Sequence, residues 1–469
     1  MQIFTSGNGI ADGDELALKL FVRNKLFYKN LVLLALPLIG QSMINQGVNM
    51  MDTIMLGNFG EVTISGSALA NQYYLIFTIL HFGLSGGAAV MTGQFWGRKE
   101  IEHIRGVITL ALRISVCVAL VMSSLSYFAG TEIMGFYTSD PLIIAAGAKY
   151  MRIMAFGYLM HGISLTLVII YRTVHLVKIG FFSSLISFFV NIFFNWIFIF
   201  GELGAPRMEI EGAALGTVIA RAVEFVIVVG YVFFADKRIG YRFKSLLLPV
   251  REYIHSFVRR GAPVIISDAM LAFWENMLSM VMGQMGAVMV AANSITAVVV
   301  QCCTVFSMGL SGAASVITGN AVGAGEYDRA EQEGITLFVF SVLVGILAAA
   351  VILLLCPLIV NAYNVSDETK NLASVFMSIM ALIVVFQTSG GVLTKGVLRG
   401  GGDTKFLMLA DVAFLWLASI PFGALAGLVF GWEPGLVYFL LKIDLVIKAI
   451  WCIFRLYSRK WIHLVRVED

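Results

Sequence analysis

Charge is scarce in this 469-residue chain. Asp, Glu, Lys and Arg together make up 13% of it, about half the usual share for a soluble domain. Hydrophobic residues make up 59% and the mean hydropathy is +0.88, which excludes a water-soluble globule of this length. Cysteine is also sparse: the five (Cys117, Cys302, Cys303, Cys356, Cys452) lie in apolar runs without C-x-x-C spacing and read as small apolar packers. No G-x-x-x-x-G-K-[ST] segment occurs, so no phosphate-cradling loop lets the chain hydrolyse ATP itself. There is no H-E-x-x-H or clustered His/Cys set for zinc. The basic residues form no stripe with aromatics, which argues against a nucleic-acid partner. Residues 1–29 contain Asp12, Asp14 and Glu15 and lack the basic-then-apolar order of a signal peptide. They are expected to form a cytoplasmic tail.

What the chain has in abundance is repetition. Gly83-Leu-Ser-Gly-Gly-Ala-Ala-Val-Met-Thr-Gly-Gln-Phe-Trp-Gly97 returns as Gly309-Leu-Ser-Gly-Ala-Ala-Ser-Val-Ile-Thr-Gly-Asn-Ala-Val-Gly323, with nine of fifteen positions identical. The same offset of 226 carries Pro37 onto Pro263, Gly57 onto Gly283 and Gly60 onto Gly286. The period is far longer than the tile of a solenoid or propeller, so each copy is a whole bundle.

A membrane-spanning helix needs about 20 mostly apolar residues. Twelve such runs occur, near 30–56, 65–94, 106–127, 143–171, 179–200, 211–235, 256–282, 290–320, 335–356, 369–398, 405–430 and 436–457. Lys and Arg crowd the tails and even-numbered connections, while the odd-numbered ones hold Arg207 and Lys370 alone. The positive-inside rule therefore puts both termini and the long 236–255 connection in the cytoplasm. Six helices return each copy to its starting side, so the copies are parallel repeats. The expected fold is an all-α integral membrane protein of twelve transmembrane helices in two six-helix lobes. An N-lobe spans 30–235 and a C-lobe 256–458, joined by a cytoplasmic linker, 236–255, and followed by a cytoplasmic tail, 459–469. Lys237, Arg238, Arg242, Lys244 and Arg251 around Leu246–Leu248 give the linker an interfacial character.

Polar residues inside apolar helices mark candidate sites, because a charge at the bilayer centre is costly and should face a cavity. Helix 1 carries Gln41, Asn45, Asn49 and Asp52 at spacings of 4, 4 and 3, one face of a helix. Helix 5 repeats the device with Ser184, Ser187, Asn191 and Asn195. Facing stripes would surround the Asp52 carboxylate with amide oxygens, a nest for a hard cation or a proton. Helix 7 carries Asp268, Glu275 and Ser279 on one face. Arg221 with Glu224, and Asp444 with Lys448, stand at i,i+3 and i,i+4, where each pair can neutralise itself. His81 reads as a hydrogen-bonded core residue. Gly83, Gly86, Gly87, Gly309 and Gly312 read as points of close helix contact.

These features resemble the multidrug and toxic compound extrusion (MATE) transporters over essentially all of residues 30–458. The carriers are Asp52-Thr-Ile-Met-Leu-Gly57, the two glycine segments, Asn191-x-x-x-Asn195, Gly212-Ala-Ala-Leu-Gly-Thr217 and Leu398-Arg-Gly-Gly-Gly-Asp-Thr404. The resemblance implies two six-helix lobes, alternating access, and export of organic cations or amphiphilic drugs driven by Na⁺ or H⁺ entry. Asp52, Asn191, Asn195 and Thr217 match the family's N-lobe cation site, a possible Na⁺ position. Asn195 stands where some members have aspartate, so the site has one formal negative charge fewer. Glu275 matches a helix 7 acid of another branch; that branch also has an aspartate on helix 10, in whose neighbourhood this chain has Gln387 and Thr388.

The expected function is therefore a cation-coupled antiporter of the inner membrane, with neither cofactor nor ATP. Asp52, Asn191, Asn195 and Thr217 would hold the ion. Glu275, Asn49, Gln41, Asn45, Asp268, Gln387 and Thr388 are candidates for a substrate or second ion site. A flippase for a lipid-linked precursor shares the architecture but should line its cavity with several arginines, for which Arg113, Arg152 and Arg221 are the candidates. A membrane-embedded enzyme would need paired catalytic groups at one depth, which the sequence does not provide.

Overall fold

A computed structural model describes residues 21–56, 59–363 and 365–466. Most of the expected first tail, Gly57, residues 467–469 and the Asn49 side chain lie outside the described residues. Among the described residues, eleven helices are long and apolar enough to cross a membrane: α1 (Lys25–Leu56), α2 (Glu61–Gly97), α3 (Ile101–Phe128), α4 (Pro141–Arg172), α5 (Val177–Phe200), α6 (Ile210–Ala235), α7 (Arg251–Met285), α8 (Ala287–Gly323), α9 (Tyr327–Ala362), α10 (Asp367–Leu398) and α11 (Thr404–Val429). The expected twelfth is broken into α12 (Pro434–Leu441) and α13 (Ile443–Tyr457). The break falls at Lys442 (φ −115°, ψ 5°), whose ammonium sits 4.4 Å over the Trp274 ring. No strand occurs among the described residues. The chain is thus an all-helical, multi-pass membrane protein.

The duplication is written into the helix ends. Helices α2 and α8 are both 37 residues long, and their first and last residues are related by the offset of 226. Helices α1 and α7 begin at the same offset and carry internal prolines, Pro37 and Pro263. Gly60 (φ 92°) and Gly286 (φ 120°) cap α2 and α8 in conformations that only glycine adopts freely. At the other ends, Lys99 N donates to Trp96 O and Glu100 N to Phe95 O, while Gly325 N donates to Val322 O and Glu326 N to Ala321 O. Both caps need a left-handed residue, and Lys99 (φ 62°) supplies in one copy what Gly325 (φ 78°) supplies in the other.

The chain divides into two compact units. Among the described residues, one comprises 36–273 with short pieces 404–409 and 465–466; the other comprises 21–35, 274–403 and 410–464. In the first unit, a Cβ on Gly87 would come within 2.5 Å of Gly261 Cα, and one on Gly83 within 2.7 Å of Ile265 Cα. Glycine is what lets α2 approach α7 this closely. Phe77, Phe95, Met91, Ile104, Ile108, Tyr158 and Tyr171 are fully buried around α2, α3 and α4. The 236–250 connection is anchored rather than slack. Asp236 is fully buried, and its carboxylate accepts from Tyr171 Oη (3.1 Å) and from the Arg238, Ile239 and Gly240 amides. Arg105 donates to Ile239 O, and Arg113 to Leu246 O and Leu248 O.

In the second unit, Gly400 and Gly401 serve close approach and turn geometry. A Cβ on Gly400 would lie 2.6 Å from Ser315 O, and Gly401 packs on Trp461. Trp461, beyond the last helix, is fully buried and donates to Leu456 O, and His463 N donates to Gly401 O. The next residue of the turn, Asp403, accepts from Arg455 Nε at 2.7 Å and has His463 Nε2 at 3.5 Å. Burial disfavours its charged form, but the His463 and Arg455 donors override this and hold the carboxyl below its usual range. The Asp444–Lys448 pairing expected from spacing is replaced by longer-range partners. Lys448 Nζ reaches Asp411 on α11 at 3.1 Å, and Asp444 Oδ1 accepts from Ser419 Oγ at 2.7 Å. Spacing along one helix cannot reveal a carboxylate on its neighbour.

Candidate functional site

The polar stripes of α1 and α5 meet inside the first unit. Their 3- and 4-residue spacings put the polar side chains in rows, and burial of each row requires a hydrogen-bonding neighbour. At one end, Gln41 Nε2 donates to Ser184 Oγ at 3.2 Å, with Gln41 buried. At the other, Asn195 Nδ2 donates to Asp52 Oδ1 at 2.6 Å. Asn195 Nδ2 also donates to Asn191 Oδ1 at 3.3 Å, and Asn191 Nδ2 to Thr217 Oγ1 on α6 at 3.2 Å. One chain of hydrogen bonds thus runs from Asp52 through both asparagines to Thr217. Asn191, Asn195 and Thr217 are buried and Asp52 is half-buried. Gly216 makes room for this: a Cβ there would lie 3.0 Å from Asn195 N and collide with its Oδ1.

The donor set is one carboxylate, two amide oxygens and one hydroxyl. All are hard oxygen ligands, the class that suits an alkali cation or, at the carboxylate, a proton. Asn195 Oδ1 is buried without a hydrogen-bond partner, an acceptor left over for a cation, so these residues fit one. Among the described residues no three His, Cys, Asp or Glu side chains come together, so the set is not that of a zinc-type centre. Beside it lies a small cavity lined by Asn45, Ser184, Ser187, Asn191, Thr217 and Arg221, among others. Asn45 is otherwise exposed, and Ser187 Oγ donates to Ala220 O at 3.0 Å.

Arg221 and Glu224 form the expected pair, NH1 to Oε2 at 2.8 Å. Sequence reasoning missed the third member: His161 Nδ1 on α4 lies 3.7 Å from the same Glu224 oxygen. Its only signal was a lone ionisable residue in an apolar run, the same signal given by His81. His81 is a fully buried core residue with Nδ1 3.0 Å from Phe77 O and Nε2 3.4 Å from Ser115 O, of which a neutral ring donates to one.

Asp268 is half-buried in the first unit. Glu275, in the second unit, is exposed, and its carbonyl accepts from Ser279 Oγ at 3.0 Å. On α10, Thr388 is buried, and Gln387 is half-buried with Oε1 lacking a hydrogen-bond partner.

The family model MatE matches residues 37–197 and again 263–425, two segments that begin 226 residues apart. The chain is 25% identical over 388 residues to a probable multidrug resistance protein NorM of Agrobacterium fabrum, covering 81% of this chain and 82% of that one. It is also 25% identical over 395 residues to the multidrug resistance protein MdtK of Yersinia pseudotuberculosis, covering 80% and 82%. Among solved structures, a Vibrio cholerae MATE transporter superposes with a TM-score of 0.84 at 14% identity, covering 92% of this chain and 96% of that one. A MOP-superfamily transporter from Pyrococcus furiosus does so with 0.83 at 18%, covering 92% and 96%. The duplicated helices, their shared end points and the double match leave one assignment: the chain belongs to the MatE family.

Proposed function

We propose that the protein is a cation-coupled antiporter, not an enzyme, that exports organic cations or amphiphilic drugs by alternating access and needs no cofactor or ATP. The observation that carries this reading is the hydrogen-bonded chain Asp52–Asn195–Asn191–Thr217, which presents a single carboxylate and spare oxygen acceptors inside a membrane bundle. A membrane-embedded carboxylate without a fixed cation is a place for an exchangeable one. The coupling ion, Na⁺ or H⁺, would bind there. Gln41, Asn45, Asn49, Asp268, Glu275, Gln387 and Thr388 are the polar groups available to a substrate or a second ion. The names of the NorM and MdtK relatives support drugs as the substrate class. The lobes would comprise residues 30–235 and 256–458, joined by the 236–255 linker, in a cell inner membrane with both termini cytoplasmic.

The flippase alternative draws no support from the arginines it requires. Arg113 donates to the carbonyls of Leu246 and Leu248, Arg221 carries Glu224 as its counter-ion in this geometry, and Arg152 is an exposed side chain.

Reconstituted vesicles that contain a fluorescent organic cation and bear an imposed Na⁺ or pH gradient test the reading. Asp52→Asn is expected to lower gradient-driven transport at least about tenfold, the scale of losing one charge-dependent binding step. Transport by that variant equal to the parent's would overturn the assignment.

A further inference from the structure

His161, Arg221 and Glu224, all in the first unit, lie outside the Asp52 hydrogen-bond chain yet next to it. Glu224 is buried, and its Oε2 receives Arg221 at 2.8 Å with His161 Nδ1 3.7 Å away. That imidazole nitrogen is buried and has no hydrogen-bond partner, and neither has Arg221 Nε. Arg221 lines the same cavity as Asn191 and Thr217, and Asn191 leads through Asn195 to Asp52. The titratable and charged groups that face His161 are Tyr74, with ring centroids 5.7 Å apart, and His81 from α2, and Arg221 and Glu224 from α6. His161 thus adjoins Arg221 through Glu224, Arg221 shares a cavity with Asn191, and the Glu224 carboxylate stands between two possible cations.

Charge neutrality selects two arrangements of these groups. With a cation on Asp52, Arg221 stays on Glu224 and His161 is neutral, so every charge is paired. With Asp52 bare, its carboxylate needs a counter-ion, and the guanidinium in the shared cavity is Arg221. Glu224 is then left unpaired unless His161 takes up a proton. A proton on Glu224 itself would balance the charges too, but imidazole is ordinarily the more basic of the two groups; with a proton on neither, an uncompensated charge remains in the bundle interior, where it is strongly disfavoured.

We propose that His161 is a second ion-responsive site: a proton there and the coupling cation at Asp52 are alternative occupants, exchanged as Arg221 shifts between Glu224 and Asp52. When the cation arrives, the His161 imidazolium releases its proton to water; when the cation leaves, the imidazole takes one back. No other bond forms or breaks. This inference rests on the reading of Asp52 as the coupling site, and the geometry observed here, with Arg221 on Glu224, corresponds to the arrangement with neutral His161.

The full-length protein, labelled with ¹⁵N-histidine and held in lipid nanodiscs, tests the exchange by a pH titration of the ring nitrogens. The chain has six histidines, and His161→Gln identifies the signal. Asp52→Asn removes the charge that draws Arg221 away. The His161 midpoint should then fall by about one pH unit or more, a tenfold loss in proton affinity. With Arg221→Gln in the background, the same Asp52→Asn change should move the midpoint by less than about a third as much, because the coupling runs through the guanidinium. Equal midpoints in parent and Asp52→Asn, or a shift undiminished without Arg221, would overturn the proposal. Should either variant not fold, Glu224→Gln removes the acceptor that His161 needs; its midpoint must fall at least as far, and an unmoved one overturns the exchange. Asp52→Asn transport equal to the parent's sinks the Asp52 reading itself, whereas a His161 midpoint indifferent to Asp52 sinks only this one.

Discussion

Asp403 shows what one residue contributes outside the membrane interior. Its carboxyl is held below the ordinary carboxylate range by His463 and Arg455 against the opposing effect of burial. A depressed carboxylate stabilises the fold at pH values above its unfolded value, about 3.9, and that contribution is lost as pH falls through the lower folded value. Thermal melts of the purified protein should therefore show a loss of stability on acidification below about pH 4, and Asp403→Asn should be less stable at neutral pH yet less sensitive to that change. A variant with the parent's acid profile would contradict it. The residues legible from sequence were those that helical spacing lines up as a polar row or a close pair on one helix. The Asp52 and Asn195 rows and the Arg221–Glu224 pair are of this kind. His161 with Glu224, and Lys448 with Asp411, were not legible, because each pair joins helices whose packing no local pattern specifies.

At the ends of α2 and α8 the repeat extends to the capping hydrogen bonds. The caps after α2 and α8 share their hydrogen bonds, but one uses Lys99 in a left-handed conformation and the other Gly325. A side chain in that conformation costs about 1–2 kcal/mol, which glycine avoids. Lys99→Gly should thus stabilise the fold by about 0.5–1 kcal/mol after glycine's extra unfolded-state freedom is subtracted, and Gly325→Ala should destabilise it by about 1 kcal/mol. Opposite shifts in melting temperature check both, and shifts of the same sign would refute the cap equivalence. The repeat made most helices readable in advance, since a boundary found in one copy locates its counterpart. The break at Lys442 was not readable, because Pro434–Tyr457 is apolar enough to pass for one uninterrupted span and the cation over Trp274 is a tertiary contact.

For the whole molecule, parity is the testable quantity. If each of the eleven long helices and the broken twelfth among the described residues crosses once, the number of crossings is even, and both ends of the chain should share one side of the bilayer. A cysteine placed at position 2 and, separately, one placed after residue 466, in a background lacking the five native cysteines, should react with an impermeant thiol reagent only after cells are opened. Labelling of one end in intact cells would refute the topology. The charge bias of the connections is what this labelling would test, while nothing in the sequence indicated that the chain past the last helix would fold back beneath the Gly400–Asp403 turn. Because Trp461 is sealed inside the second unit, a deletion that stops at the end of α13 would uncork the turn it supports. Reporter fusions and affinity handles therefore belong downstream of residue 466, where they leave that plug seated.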